Sequence, residues 1–238
     1  MKVDLLVITA HPDDAELCCG GTIIAHTSAG KSVGIVDLTQ GELGTRGTAK
    51  IRLKEAEEAG KIMGISFREN LGFADGFFKN DDAHRLKVMQ QVRRFQPEIV
   101  ISNAPHDRHP DHGRASDLVS EACFLSGLRR IETEWEGEPQ REWRPARMYK
   151  FVQFNYIEPD IIVDISAHLD KKLEAIRAFK SQFHDPASKE PDTILTSRHF
   201  LEQIKARNLD WGFRIGAYAG EGFIADQKLA VRSLFDLA

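Results

Sequence analysis

A chain of 238 residues that is 42% hydrophobic, with a formal net charge of −4 and a pI near 6.1, has the size and apolar content for one large α/β core. The slightly acidic balance argues against a broad nucleic-acid or anionic-membrane footprint, and no apolar stretch approaches the ~18 residues of a membrane span or the layout of a signal peptide. The expectation is one soluble, cytoplasmic domain over residues 1–238, with a small polar molecule as partner, no nucleic acid and no membrane.

Residues 3–8 (VDLLVI), 33–38 (VGIVDL), 67–71 (FRENL) and 98–102 (EIVIS) read as short strands separated by segments long enough for crossover helices. That alternation predicts βαβ units and a Rossmann-like α/β fold, with a mainly parallel sheet and helices on both faces. Asp14 and Glu16 fall in the first turn of a helix after the first strand, where the helix dipole favours carboxylates. A helix over 49–63 carries Ile51, Ala56, Ala59 and Met63 on one face and ends at Gly64 as its C-cap. A second, over 86–95, aligns Leu86, Met89, Val92 and Phe95. Further strands are predicted at 148–154 and 160–165, helices at 167–183 and 199–208, and a glycine-containing tail at 211–223. The polar segments 132–147 and 184–196 read as surface loops.

Cys18, Cys19 and Cys123 form neither a CxxC pair nor an even set, so they are expected to be reduced, packed as small hydrophobes. A redox role for the adjacent Cys18 and Cys19 is the weaker alternative.

The chemistry is concentrated in two loops. The stretch "ITAHPDDAELCCGG" puts His11, Asp13, Asp14 and Glu16 directly behind the first strand, and "HDRHPDH" at 106–112 follows the fourth. Ligands of an open parallel sheet bind at the carboxyl ends of its strands, so two such loops can converge on a metal there. An N-cap aspartate would explain one loop alone; the paired His-Pro-Asp clusters favour a metal site. His11, Asp14 and His112 supply two nitrogens and one oxygen, a set suited to catalytic Zn²⁺, though an iron(II) oxygenase uses the same types. Hydrolysis is favoured by the neighbours. Asp13 is free to take a proton from water, His109 can protonate a leaving amine or stabilise an oxyanion, and Asp111 can orient the His109 ring. His26, His84 and His168 have no such company and are read as structural.

These residues carry a resemblance. "AHPDDAE" with "HPDH" about a hundred residues later resembles the PIG-L (LmbE-like) superfamily of zinc-dependent de-N-acetylases. "DLTQGELGTRGT", "RLKEAEEAGKIMG", "DRHPDH", "VDIS", "SQF" and "YAGEGF" look like its bacillithiol-pathway branch, which acts on N-acetyl-glucosaminyl-malate. The resemblance implies His11, Asp14 and His112 as zinc ligands, Asp13 as general base, His109 as acid or oxyanion partner, Asp111 behind a ligand and Arg52 near the substrate. It also implies a homo-oligomer of trimeric or hexameric form. Fe²⁺, Co²⁺ or Mn²⁺ suit the same ligands. Arg52 could clamp a malate carboxylate bidentately; Arg108 is an alternative clamp or a salt-bridge partner of Asp107. The "GELGTRGT" loop suits a cover over a polar substrate. Where some relatives place a tyrosine near the oxyanion this chain has Phe200, and Tyr218 cannot be equated with that tyrosine. Other N-acetylglucosamine derivatives, such as chito-oligosaccharide or a mycothiol-type conjugate, are alternative substrates, and a non-catalytic sugar- or metal-binding protein is the alternative class.

Overall fold

A computed structural model describes residues 1–183 and 188–233. In chain order the elements are β1 (Leu5–Thr9), α1 (Asp14–Ser28), β2 (Val33–Thr39), α2 (Ala49–Met63), β3 (Phe67–Phe73), α3 (Asp82–Phe95), β4 (Ile99–Ser102), α4 (Pro110–Ser126), β5 (Glu134–Trp135), β6 (Glu138–Pro139), β7 (Arg147–Phe151), β8 (Ile161–Asp164), α5 (Leu169–Arg177), α6 (Phe200–Arg214) and β9 (Gly220–Ala225). Seven strands form one sheet in the order β3-β2-β1-β4-β7-β9-β8. Pairings from β3 through β7 are parallel, and β9 is antiparallel to both neighbours. The expected mainly parallel α/β fold is what the chain adopts.

Burial explains the continuous apolar strands. Along β1, Leu5 and Val7 enter one core layer with α1, α2 and α5, while Leu6 and Ile8 enter another with α3 and α4. A strand covered on both faces has no polar side to alternate with. The chain turns from β1 toward β2 in one direction and later places β4 on the other side of β1. The β1/β4 boundary is therefore the switch point of the sheet, where a crevice opens at the strand ends.

Local signals set most helix ends. Thr48 Oγ1 accepts from the Ile51 N–H at 3.3 Å, and Gly64, at φ 72°, closes α2. Asp81 caps α3 through the His84 N–H at 3.1 Å. Two predicted stripe positions differ: Ile51 and Leu86 are exposed, and Arg52 and Val88 are buried instead. The buried face of each helix is rotated from the predicted stripe at that end.

Differences from expectation concentrate in the second half. Within 132–147, β5 and β6 form a hairpin whose turn residues, Glu136 and Gly137, both have positive φ. The helix expected over 167–183 is α5 alone; beyond it the chain makes short turns that bury Phe179 and Phe183. Of the loop at 184–196, residues 184–187 lie outside the described residues. The expected tail is partly helical, since α6 runs to Arg214, and partly strand. The glycines of β9 hide it from a reading by strand propensity: a Cβ at Gly220 would meet Ile162 Cγ2 at 2.5 Å, and one at Gly222 would meet Pro159 Cβ at 2.9 Å. Close packing of β8 and the segment before it demands glycine where strand propensity disfavours it.

β9 also carries Glu221. Helix α1 breaks at Cys19 (φ −138°), and Glu221 accepts from the Gly21 and Thr22 N–H groups at 3.0 and 2.7 Å just beyond that break. Lys172 Nζ of α5 pairs with Glu221 at 2.7 Å and donates to Asn208 of α6 at 3.1 Å. Both charged side chains are fully buried. All three cysteines are free and buried, as expected. Burial raises the Cys18 and Cys19 thiols and raises Cys123 to about 12, so none is a ready thiolate. No helix among the described residues is long and apolar enough to cross a membrane.

Candidate metal centre and active site

The loop after β1 is tied to both flanking strands. Ala10 N–H donates to Asn103 Oδ1, just beyond β4, at 2.8 Å, and Thr39 at the end of β2 donates to the Ala10 carbonyl through both N–H and Oγ1. The loop after β4 runs to His109, which caps α4, with Pro110 at the first helical position. These restraints bring His11 to Asp14 together with His109 to His112.

Asp14 lies between two imidazoles. Its Oδ2 is 3.7 Å from His11 Nδ1, and its Oδ1 is 3.4 Å from His112 Nε2. Ligand atoms on a tetrahedral ion with bonds of 2.0–2.1 Å lie about 3.3 Å apart. Each imidazole is fixed through its other nitrogen. His11 Nε2 is 2.9 Å from Asp75 Oδ1 and 3.4 Å from Asp111 Oδ2, and His112 Nδ1 is 2.5 Å from Asp107 Oδ2. Carboxylates behind the rings place the ring protons there and leave His11 Nδ1 and His112 Nε2 to face Asp14.

Other groupings are weaker. His11, His109 and His112 bring nitrogens within 4.8 Å of one another, as His11, Asp75 and Asp111 bring theirs with carboxylate oxygens. In the second grouping His11 Nε2 is already hydrogen-bonded to Asp75, and in the first His109 Nδ1 accepts from the Asp111 N–H at 3.2 Å. The set His11, Asp14 and His112 offers two imidazole nitrogens and a carboxylate that could hold a divalent cation, Asp14 facing the two rings through different oxygens.

The surroundings favour positive charge. Burial opposes an imidazolium at His11, yet Asp111, Asp14 and Asp75 together raise it well above its ordinary value. Burial likewise opposes ionised Asp14, but His112 and His11 hold its carboxyl well below the usual range. A field that stabilises protonated imidazole here also stabilises a metal ion.

Asp13 and Arg52 form a buried pair. Arg52 donates to Asp13 Oδ2 at 2.7 Å, to the Pro12 carbonyl at 3.1 Å and to the Gly41 carbonyl at 3.3 Å. Three of its five N–H groups are engaged by the chain, so Arg52 is the partner of Asp13, and it also lines the cavity over the site. Asp13 stands at the N-cap of α1 with φ 111° and makes no capping bond, its side chain turned to Arg52 instead. A non-glycine residue held at positive φ costs energy that the surrounding contacts must supply. Burial, offset in part by Arg52, raises the Asp13 carboxyl above its ordinary value.

Two further expectations change. Asp111 orients His109 through its backbone N–H, while its carboxylate accepts from Gly76 N–H at 2.7 Å, pairs with Arg114 at 2.5 Å and faces His11. His109 therefore accepts at Nδ1 and carries its proton on Nε2. Burial and the adjacent His11 and His112 lower its pKa, which fits a neutral ring. Arg108 makes no ion pair with Asp107; it is exposed at the rim with its guanidinium 4.9 Å from the Phe154 ring centroid. Asp107 instead serves His112 and the Phe154 and Asn155 N–H groups.

A cavity of about 510 Å³ opens over this centre. Its floor includes His11, Asp13, Asp14, His109 and His112, and its walls include Leu43 to Arg46 and Thr193 to Leu195. The two walls are stitched together: Arg46 donates to the Pro191 carbonyl at 2.8 Å and to Asp192 at 3.2 Å. Phe200 lines the cavity, and Tyr218, 61% exposed, does not. Asp75, Asn103 and Gln153 lie in the site although no motif marks them. The rule that strand ends build the site would have found all three, since they follow β3, β4 and β7 by one or two residues.

The PIG-L pattern, described as GlcNAc-PI de-N-acetylase, matches residues 6–123. The chain is 30% identical over 190 residues to a diacetylchitobiose deacetylase of Thermococcus kodakarensis, covering 75% of this chain and 70% of that protein. Against a probable N-acetyl-alpha-D-glucosaminyl L-malate deacetylase 2 of Bacillus anthracis it is also 30% identical, over 75% of this chain and 81% of the other. A 4-oxalmesaconate hydratase of Pseudomonas putida is 30% identical over 75% and 74% of the two chains. The conserved protein TT1542 from Thermus thermophilus superposes with a TM-score of 0.86 at 37% identity, covering 96% of this chain and 97% of that one. With the motifs, the fold and these relatives in agreement, this chain belongs to the PIG-L family of de-N-acetylases.

Proposed function

We propose that the chain, as one domain over residues 1–238, hydrolyses the N-acetyl group of an N-acetylglucosamine conjugate, releasing acetate and a free amine. The reading rests on one observation: a buried His11–Asp14–His112 donor set with a carboxylate base beside it, Asp13, under a cavity that admits a sugar. Zinc is the proposed metal, held by those three residues; when bound, it supplies Lewis acidity that acidifies water and polarises an acyl oxygen.

The chain's own groups do the rest. Asp13 accepts the proton of the attacking water and returns it to the leaving nitrogen as the C–N bond breaks. Arg52 holds the Asp13 carboxylate in place and ionised against its burial. His109, neutral and protonated at Nε2, donates a hydrogen bond to the acyl oxygen as that atom gains negative charge. The cavity walls exclude bulk water from this exchange.

Within this class the proposed substrate is N-acetyl-alpha-D-glucosaminyl L-malate of bacillithiol biosynthesis. The Bacillus anthracis relative and the exposed Arg108 at the rim, free to meet a carboxylate, support it. A chito-oligosaccharide or a mycothiol-type conjugate is the competing substrate. A cytoplasmic homo-oligomer, trimeric or hexameric, goes with the family resemblance, and light scattering measures its size directly.

The test is acetate release followed by proton NMR, comparing the malate conjugate, diacetylchitobiose and 4-oxalmesaconate, with chelated and zinc-reconstituted protein. Fast release from the malate conjugate in the reconstituted sample alone is expected. Release only from diacetylchitobiose moves the substrate but keeps the reaction; turnover of 4-oxalmesaconate without acetate release overturns the deacetylase reading.

A further inference from the structure

An amide on the cavity floor has an orientation that the backbone dictates. A backbone N–H can only donate, so the Ala10 N–H bond to Asn103 at 2.8 Å fixes the oxygen of that side chain as the acceptor. The Asn103 nitrogen must then face the other way, and it donates to Asp14 Oδ2 at 3.0 Å and to Gln153 at 3.1 Å. The atom of Gln153 that accepts is therefore Oε1, and Nε2 points into the site. There it is 2.5 Å from Asp14 Oδ1 and 3.1 Å from His112 Nε2. Gln153 is buried, and its main-chain carbonyl accepts from the Arg207 guanidinium.

This chain of bonds determines what the amide can do. With Oε1 committed to Asn103, Gln153 presents two hydrogens and no acceptor to the site. One serves Asp14 Oδ1. The other is directed toward His112 Nε2, whose lone pair is the one the ligand set commits to a cation. With that lone pair committed, the second hydrogen is available to an oxygen in the site, the attacking water or the acyl oxygen of a substrate. Among the described residues no tyrosine lines the cavity, and His109 and Gln153 are neutral donors adjacent to the candidate ligands.

We infer that Gln153 is a catalytic hydrogen-bond donor, its Nε2 holding the acetyl oxygen of the substrate as that oxygen becomes an oxyanion. The assignment rests on the amide-hydrolysis reading above. A neutral amide suits this role because it is unaffected by pH, is already oriented by Asn103 and adds no charge beside the cation. Hydrogen bonds to Asn103, Asp14 and Arg207 hold the segment two residues beyond β7 that carries it.

The test compares wild type with Gln153→Met, which keeps the volume and removes both donors, and with Gln153→Glu, which keeps the size and presents only acceptors when ionised. Zinc per chain and zinc affinity by chelator competition, the melting temperature, kcat and KM for acetate release, and binding of a methylphosphonamidate mimic of the tetrahedral intermediate are measured on each. Loss of one oxyanion donor costs about 100-fold in kcat. Both variants also lose the bond to Asp14, so zinc affinity is expected to fall by about 10–100-fold; with zinc saturating they are expected to bind one ion, keep KM, lose about 100-fold in kcat and lose a similar factor in affinity for the mimic. A variant that retains wild-type kcat overturns the assignment. So does a variant that binds zinc weakly but recovers full rate in excess zinc, because Gln153 would then only hold the ligands. A wild-type protein that loads zinc but releases no acetate removes the deacetylase reading, and the donor assignment with it.

Discussion

Arg52 reaches from α2 to Asp13 at the start of α1, 2.7 Å between nitrogen and oxygen, with both side chains buried. The pair joins the residue read as base to the helix that follows the glycine-containing loop. Removing one partner of a buried ion pair leaves an uncompensated charge, at a cost of about 3–5 kcal/mol. Arg52→Met is expected to lower stability by that order. Burial already raises the Asp13 carboxyl, and losing the guanidinium raises it further. The base works only when ionised, so the acid limb of the pH–rate profile should move to higher pH in Arg52→Met. A profile superposable on wild type would separate Arg52 from the base.

Asp13→Asn keeps the shape and the bond from Arg52 but cannot accept a proton. Turnover should fall by several orders of magnitude, roughly the 10²–10⁴ attributed to general-base catalysis, while zinc stoichiometry stays at wild-type level. Substantial residual activity at saturating metal would remove Asp13 from the base role.

His112→Ala should lose zinc outright. Asp107→Asn and Asp75→Asn, which alter the carboxylates behind His112 and His11, should weaken zinc binding by about 10–100-fold without abolishing it. Chelator competition ranks the three variants. Equal affinities in all of them would mean that these imidazoles are not the ligands. Asp75 also accepts from the Leu43 N–H at 2.9 Å, so Asp75→Asn should loosen the 41–47 loop, visible as faster amide exchange there.

Lys172 and Glu221 test the fold apart from the chemistry. Lys172→Met leaves Glu221 buried with only the two N–H groups of α1, and destabilisation of about 3–5 kcal/mol is expected in thermal or urea unfolding. Residual folded protein should retain zinc, because the pair lies behind the break at Cys19 and not among the ligands.

The buried thiols give a simple check of the redox alternative. A thiolate-directed reagent should modify none of Cys18, Cys19 and Cys123 in the native protein, and all three after unfolding. Rapid native labelling of Cys18 or Cys19 would reopen a redox role.

Much of the first half is legible in the sequence because its signals are local. Apolar runs bounded by caps mark β1, β2, α2 and β4 nearly to the residue, and two His-Pro-Asp loops at strand ends point to His11, Asp14 and His112 as candidate ligands. Each of these depends on neighbours within a few positions: a cap, a proline, a burial run. By the same token β9 is hidden, since its glycines answer to β8 and Pro159 rather than to strand propensity.

What the tertiary structure alone decided is the partner of each charged group. Residue types placed Arg52 near a substrate carboxylate; the crossing of α2 over the β1 loop also pairs it with Asp13 at the cavity floor. Asp111 looked like the keeper of His109, but the N-terminal turn of α4 turns its carboxylate to His11 and leaves its backbone N–H for the ring. Asp75, Asn103 and Gln153 carry no motif, because their roles come from register: parallel pairing brings the ends of β3, β4 and β7 to one edge. Local sequence sets where strands stop and helices start, whereas a side chain's partner across that edge is set by contacts between residues as far apart as Asn103 and Gln153, or Asp14 and Gln153, whose geometry no short window encodes.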